Sequence, residues 1–169
     1  RTLDDAAAVT VSGGVAVAAF GVPLSGQRIG DDRIHGVDAT TGQLLWSVSL
    51  PWLDSSLADA AVRGPVVIEG DTIVLAARRA SPMRRVNALS MVGLALYTGD
   101  LRWVRSVGSV GMQPWARAQS RAEGTALFRG VVYRGDEMGL LAAYDAASGR
   151  PLWVRTSSPS HVIDPQQWR

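Results

Sequence analysis

Hydrophobic and polar positions alternate along this chain in short runs, and the runs come in pairs. Residues 8–12 and 15–20 are rich in Val and Ala and are split by Gly13-Gly14. Residues 65–69 and 72–78 flank Gly70-Asp71, and residues 125–128 and 131–134 flank Arg129-Gly130. Short runs rich in β-formers, joined by two turn-forming residues, predict β-hairpins. Each hairpin precedes a second pattern. An apolar run from Leu140 enters Ala143-Tyr144-Asp145-Ala146-Ala147-Ser148-Gly149, and Trp153 stands four residues past the glycine. The stretch from Gly36 to Gly42 leads to Trp46 in the same way, and that from Gly93 to Gly99 leads to Trp103. Each reads as a strand, a tight turn and a returning strand. Gly42, Gly99 and Gly149 supply the positive φ that such a turn uses. Asp38, Asp145 and Ser148 can bond to turn amides. The Trp lands on the returning strand, where a large ring can pack against a neighbouring sheet or serve as a stacking platform for a ligand.

The spacing is periodic. Trp46 and Trp103 are 57 residues apart, and Trp103 and Trp153 are 50 apart. Gly13 to Gly42 and Gly70 to Gly99 each cover 29 residues, whereas Gly130 to Gly149 covers 19. The third copy has therefore lost ten residues, and the loss fits the connection between its second and third strands. Four-stranded antiparallel units repeating every ~40–50 residues are the blades of a propeller. No Trp-Asp dipeptide occurs, and a paired-glycine signature is missing from two copies, which sets aside two common propeller repeats. The expected fold is all-β: one segment over residues 1–169, an arc of three blades at about 6–50, 62–107 and 122–157, with 158–169 starting the next connection. Propellers close with ~4–8 blades, so three read as part of a larger ring. The rest of that ring is then one expected partner, and an isolated arc should expose apolar blade faces and self-associate. One short helix is predicted at 54–61, where Leu57, Ala58, Ala60 and Ala61 follow a serine pair suited to capping.

The motif resembles the pyrroloquinoline-quinone (PQQ)-like propeller repeat, which reads Ala-x-Asp-x-x-Thr/Ser-Gly-x-x-x-Trp. The third copy matches throughout, with Asp145, Gly149 and Trp153. The first keeps Asp38, Gly42 and Trp46 but has Gly36 in the Ala position. The second keeps Thr98, Gly99 and Trp103 but has Gly93 and Ala95 where Ala and Asp belong, so its turn should lack the Asp hydrogen bond. In that family the Trp docks one blade onto the next. The resemblance implies a non-catalytic scaffold or protein-binding module, similar to the propeller lipoprotein of the outer-membrane barrel assembly machinery, in an extracytoplasmic setting. The alternative it implies is a segment of a PQQ-dependent quinoprotein oxidoreductase. Such enzymes hold PQQ beside a calcium ion with acidic and Asn ligands, often near a vicinal disulfide. This chain has no Cys and a single Asn, Asn87, so no cofactor is expected.

Composition narrows the field further. Hydrophobic residues make up 47% of the chain, which is globular in character. All 17 basic residues are Arg, yet the formal net charge is only +2, which gives no electrostatic case for nucleic acid. No stretch approaches the ~20 apolar residues of a membrane span. Asp31, Asp32, His35 and Asp38 lack a calcium-loop spacing, as does Asp136-Glu137. Neither a Gly-x-Ser-x-Gly nucleophile elbow nor a phosphate-binding Gly-rich loop is present.

In an up-and-down blade the tight turns lie at one end, and the longer connections lie at the other. That second end collects residues 21–33, 51–63, 79–86 and 108–121. Loops on a rigid scaffold are where binding residues concentrate, so this end is the expected partner-binding face. Its candidates are Trp52, Trp115 and the cluster Arg78, Arg79, Arg84 and Arg85 around Ser81-Pro82. Guanidinium groups suit an anion, a lipid headgroup or an acidic partner, and they equally suit a solvated loop.

Overall fold

The structure is a computed structural model, and it describes residues 8–19, 33–81, 86–111, 124–135 and 139–156. Among these residues, twelve strands form three four-stranded antiparallel sheets. The first sheet holds β1 (Ala8–Ser12), β2 (Val15–Ala19), β3 (Arg33–Asp38) and β4 (Leu44–Ser49). The second holds β5 (Ala60–Glu69), β6 (Thr72–Ser81), β7 (Val86–Ala95) and β8 (Leu101–Gly111). The third holds β9 (Gly124–Phe128), β10 (Val131–Gly135), β11 (Leu140–Asp145) and β12 (Pro151–Thr156). Each strand pairs with its neighbours in chain order, so every sheet is an up-and-down blade. The first strands of successive blades touch, β5 against both β1 and β9, and Thr10 Oγ1 donates to Val66 O at 2.6 Å. The expected all-β arc of three blades is what the chain forms.

Alternation decides which side of each blade faces which neighbour. In β2, Val15, Val17 and Ala19 are buried while Ala16 and Ala18 are half-buried. The buried set packs with Ile34, Val66, Ile73, Leu75 and Leu94 in the core between the first and second blades. Val74, Ala76 and Met91, on the opposite face of the second blade, pack with Val132, Ala142 and Tyr144 of the third. Two apolar layers, one per blade junction, hold the arc together. Among the described residues, Arg134 is fully buried, and its Nη1 lies 3.1 Å from Thr125 Oγ1.

The three turns that end in the motif glycine close identically. Gly42 N donates to Asp38 O at 2.9 Å, Gly99 N to Ala95 O at 2.9 Å, and Gly149 N to Asp145 O at 2.8 Å. All three glycines have positive φ, at 75°, 75° and 67°, a region that costs any residue with a Cβ. Each turn also bonds to the preceding hairpin turn of its own blade: Ala39 N to Gly14 O, Leu96 N to Asp71 O, and Ala146 N to Gly130 O. These bonds gather all tight turns at one end of the arc.

The connection between the first two blades corrects one expectation. No helix spans 54–61. A single helical turn, α1 (Leu50–Leu53), comes first, and a 3-10 turn (Ser55–Leu57) follows. Asp54 caps the second turn by accepting from Ser56 N at 2.7 Å. Ala60 and Ala61 already belong to β5, because pairing with Arg79 and Arg78 captures them for the sheet. The second correction concerns residues 79–86. β6 continues to Ser81 and β7 begins at Val86, so strand takes residues 79–81 and 86 of what read as loop. Strands β5 to β8 run 10 or 11 residues, against 5 or 6 in the other blades. With the turn ends level, β5 to β8 extend about 15 Å past the described strands of the other two blades, at ~3.3 Å per residue.

Candidate functional site

A recurrent irregularity places the three Trp rings. Register shifts fall between Gly36/Val37, Gly93/Leu94 and Ala143/Tyr144, and they set Gly36 opposite Trp46, Gly93 opposite Trp103 and Ala143 opposite Trp153. A Cβ on Gly36 would lie 2.1 Å from the Trp46 ring, and one on Gly93 would lie 2.2 Å from that of Trp103. Glycine in the motif's Ala position therefore lets both rings lie flat on their own strand pair. Trp46 then reaches the second blade, where its Nε1 donates to Leu96 O at 2.9 Å and its ring covers Gly99. Trp103 covers Gly149 of the third blade in the same manner, but its buried Nε1 has no hydrogen-bond partner. Trp46 and Trp103 are 8% and 6% exposed. Trp153 is 40% exposed and packs obliquely on Tyr133, with centroids 6.1 Å apart.

The turns differ in how their side chains are satisfied. Asp38 Oδ1 accepts from Thr40 N, Thr41 N and Thr41 Oγ1 at 3.0, 2.7 and 2.9 Å. Asp145 Oδ1 accepts from Ser148 N and Ser148 Oγ at 2.9 and 2.7 Å. In the second blade Ala95 offers no carboxylate, and Thr98 Oγ1 donates instead to Asp100 Oδ2 at 2.6 Å. Asp71, in the hairpin turn of that blade, forms a two-pronged pair with Arg102, whose Nη1 also donates to Thr72 Oγ1.

These bonds favour the ionised carboxylates. The Thr41 amide and hydroxyl and the Thr40 amide hold Asp38 below its ordinary range, the Ser148 hydroxyl and amide do so for Asp145, and the Arg102 guanidinium does so for Asp71. A depressed folded pKa contributes stability that is present above the unfolded carboxylate value, near 4, and is lost as pH falls through the folded values. Thermal melts should therefore show the melting temperature falling on acidification below about pH 4. Asp71→Asn should flatten that fall, and an unchanged acid profile in the variant would remove Asp71 from the account.

At the opposite end the candidate binding residues separate. Trp52, on α1, is 88% exposed. Arg78 and Arg79 are consecutive residues of β6, so they project from opposite faces of the second blade. The expected single cluster is thus divided by the sheet. Arg79 is exposed and reaches the interblade connection, with Nη1 3.5 Å from Ser56 O. It borders an open groove of about 130 Å³ floored by Ala77, Ala88, Ser90, Val104 and Ser106. Arg78 is half-buried on the side of the third blade. Arg84, Arg85 and Trp115 lie outside the described residues. The length of the second blade's strands, which brings Arg78 and Arg79 to this end, has no turn signal in the sequence.

No protein-family model matches the sequence, and no curated protein matches it. Solved structures do match. BamB from Moraxella catarrhalis superposes with a TM-score of 0.54 at 22% identity, over 92% of this chain and 38% of that one. A europium-containing methanol dehydrogenase gives a TM-score of 0.61 at 10% identity, over 89% of this chain and 32% of that one. The fold is that of a PQQ-like β-propeller. A quinohemoprotein alcohol dehydrogenase from Pseudomonas putida HK5 extends the likeness, with a TM-score of 0.54 at 19% identity over 94% of this chain and 22% of that one. The chain thus spans between about a fifth and two-fifths of the length of these propellers.

A calcium–quinone site of the kind that PQQ-dependent enzymes carry needs converging oxygen ligands. Among the described residues, no three His, Asp or Glu side chains lie together so as to hold a metal ion. Asp38, Asp54 and Asp145 are occupied in their own turns, and Asp71 is occupied by Arg102. The groove beside Arg79 is smaller than the ~300 Å³ at which small-molecule pockets begin. The described residues do not offer the converging oxygen ligands that such a group needs. No helix among the described residues is long and apolar enough to cross a membrane.

Proposed function

We propose that the chain is a non-catalytic propeller scaffold that binds a protein partner through its long-connection end. The observation that carries this reading is the length of β5 to β8, which brings Arg78 and Arg79 to that end on opposite faces of the second blade, near a connection bearing the exposed Trp52. Trp and Arg are the residues most enriched where binding energy concentrates at protein interfaces. Guanidinium groups on both faces of one sheet suit a partner with carboxylates on either side of a cleft. No cofactor belongs to this function, and the resemblance of the repeats to those of envelope proteins favours an extracytoplasmic site of action.

Two measurements test it. Calorimetric titration with PQQ and calcium should give no stoichiometric uptake, and tight uptake would move the chain to the oxidoreductase reading. Affinity capture with the wild-type chain should retain a protein that the folded double variant Trp52→Ala/Arg79→Glu does not. Equal capture by both chains would show that this end is not the binding face.

A further inference from the structure

The face of the second blade that packs on the first carries a groove formed by small side chains. Strand register sets them in two rows across the sheet. Ala60, Arg79 and Ala88 stand opposite one another on β5, β6 and β7, and Ala77, Ser90 and Ser106 do so on β6, β7 and β8. A bulge in β8 places the last of these. The register passes from Leu89 opposite Gly108 to Ser90 opposite Ser106, which leaves Val107 as the extra residue. Val107 packs in the core toward the third blade, while Ser106 lines the groove. Bulges re-aim side chains in this way and are over-represented beside functional sites. Ser56 and Leu57 of the 3-10 turn bound the groove on one side.

The lining is chemically one-sided. Among the residues that form it, Arg79 alone is charged, and it is exposed. Its Nη1 makes a long hydrogen bond, 3.5 Å to Ser56 O, which leaves most of the five-donor fork uncommitted. Ser90 and Ser106 add hydroxyl donors, and Ala77, Ala88 and Val104 add an apolar floor. A carboxylate meets a guanidinium through two parallel N–H···O bonds, and the methylenes behind it suit such a floor. A phosphate group carries nearly two charges, brings no methylenes and would meet a single cation. A volume of about 130 Å³ holds one side chain and not a drug-sized ligand. We propose that this groove receives a glutamate side chain of the protein partner, with Arg79 pairing its carboxylate and the hydroxyls of Ser90 and Ser106 donating to it. This deepens the scaffold reading and rests on it.

The probe is a capped alanine peptide with a single central glutamate, titrated into the isotope-labelled full chain and followed by amide resonances. The amides of Ala77, Ala88 and Ser90 should shift together and saturate. Arg79→Gln should weaken the affinity about tenfold or more, as deletion of a hydrogen bond to a charged group does. Ala88→Leu fills the groove, keeps the charge and should abolish the saturable shifts. Arg79 is exposed and Ala88 half-buried, so both variants should keep the fold, which the same spectra report. Arg150→Gln, at the tight-turn end, should bind as the wild type does. The peptide with glutamine in place of glutamate should not bind. Unchanged affinity in Arg79→Gln or Ala88→Leu, binding of the glutamine peptide, or equal occupation by inorganic phosphate would overturn the proposal. A chain that captures a protein partner yet ignores the glutamate peptide would overturn the groove assignment and spare the scaffold reading. A chain that takes the peptide but captures no protein would support the groove and overturn that reading.

Discussion

Gly99→Ala is expected to destabilise the chain by about 2–5 kcal/mol, made up of ~1–2 for a Cβ in the left-handed region and ~1–3 for overpacking. Both contributions come from this site. The backbone there has a φ of 75°, and the added Cβ would lie 2.6 Å from Cε3 and 2.9 Å from Cδ2 of Trp46. The ring cannot tilt away freely, because its Nε1 is bonded to Leu96 O and its other face lies over Gly36. Gly70→Ala supplies the control. Gly70 has a φ of 57° with nothing within 4 Å of a Cβ, so it carries the strain of about 1–2 kcal/mol without the collision. Denaturant melts of the two variants separate the effects. Equal losses would mean that Gly99 is required for its backbone alone and that Trp46 does not press on it.

Much of this architecture was legible because the blade repeats its local chemistry. The hairpins at Gly13-Gly14, Gly70-Asp71 and Arg129-Gly130, and the turns ending at Gly42, Gly99 and Gly149, are set by residues close together in sequence. The helix expected at 54–61 failed for a non-local reason. Ala60 and Ala61 are good helix formers, but Arg78 and Arg79 stand opposite them on β6, and completing that ladder outweighs propensity. The grouping of Arg78 with Arg79 failed likewise. Adjacent in sequence, they become opposed once strand alternation extends past residue 78. The role of Gly36 and Gly93 was also hidden. In the repeat they stand only as departures from Ala, and their purpose shows when the register shift sets each beneath a Trp ring. The partner-binding end was legible as a location but not as an arrangement of side chains, since its geometry depends on strand lengths that no turn signal marks.

Trp46→Ala is expected to cost about 3–5 kcal/mol, as truncation of a buried aromatic does. Trp46 is 8% exposed and sits between two blades, over Gly36 on its own side and Gly99 on the other, so the truncation opens a cavity in the core between the first and second blades. Trp153→Ala, at a ring already 40% exposed, should cost clearly less when measured at high dilution, where copies of the chain are apart. Phe substitutions refine the comparison. Trp46→Phe keeps most of the apolar contact but deletes the donor to Leu96 O and leaves that buried carbonyl unpaired, a loss of about 1–3 kcal/mol. Trp103→Phe removes a buried N–H that has no partner, so its cost is confined to lost contact and should be the smaller of the two. The decisive reading is the order of the four midpoints in denaturant: Trp46→Ala lowest, and Trp46→Phe below Trp103→Phe. If Trp153→Ala matched Trp46→Ala at high dilution, the ring would be stabilising its own blade and not the junction to the next.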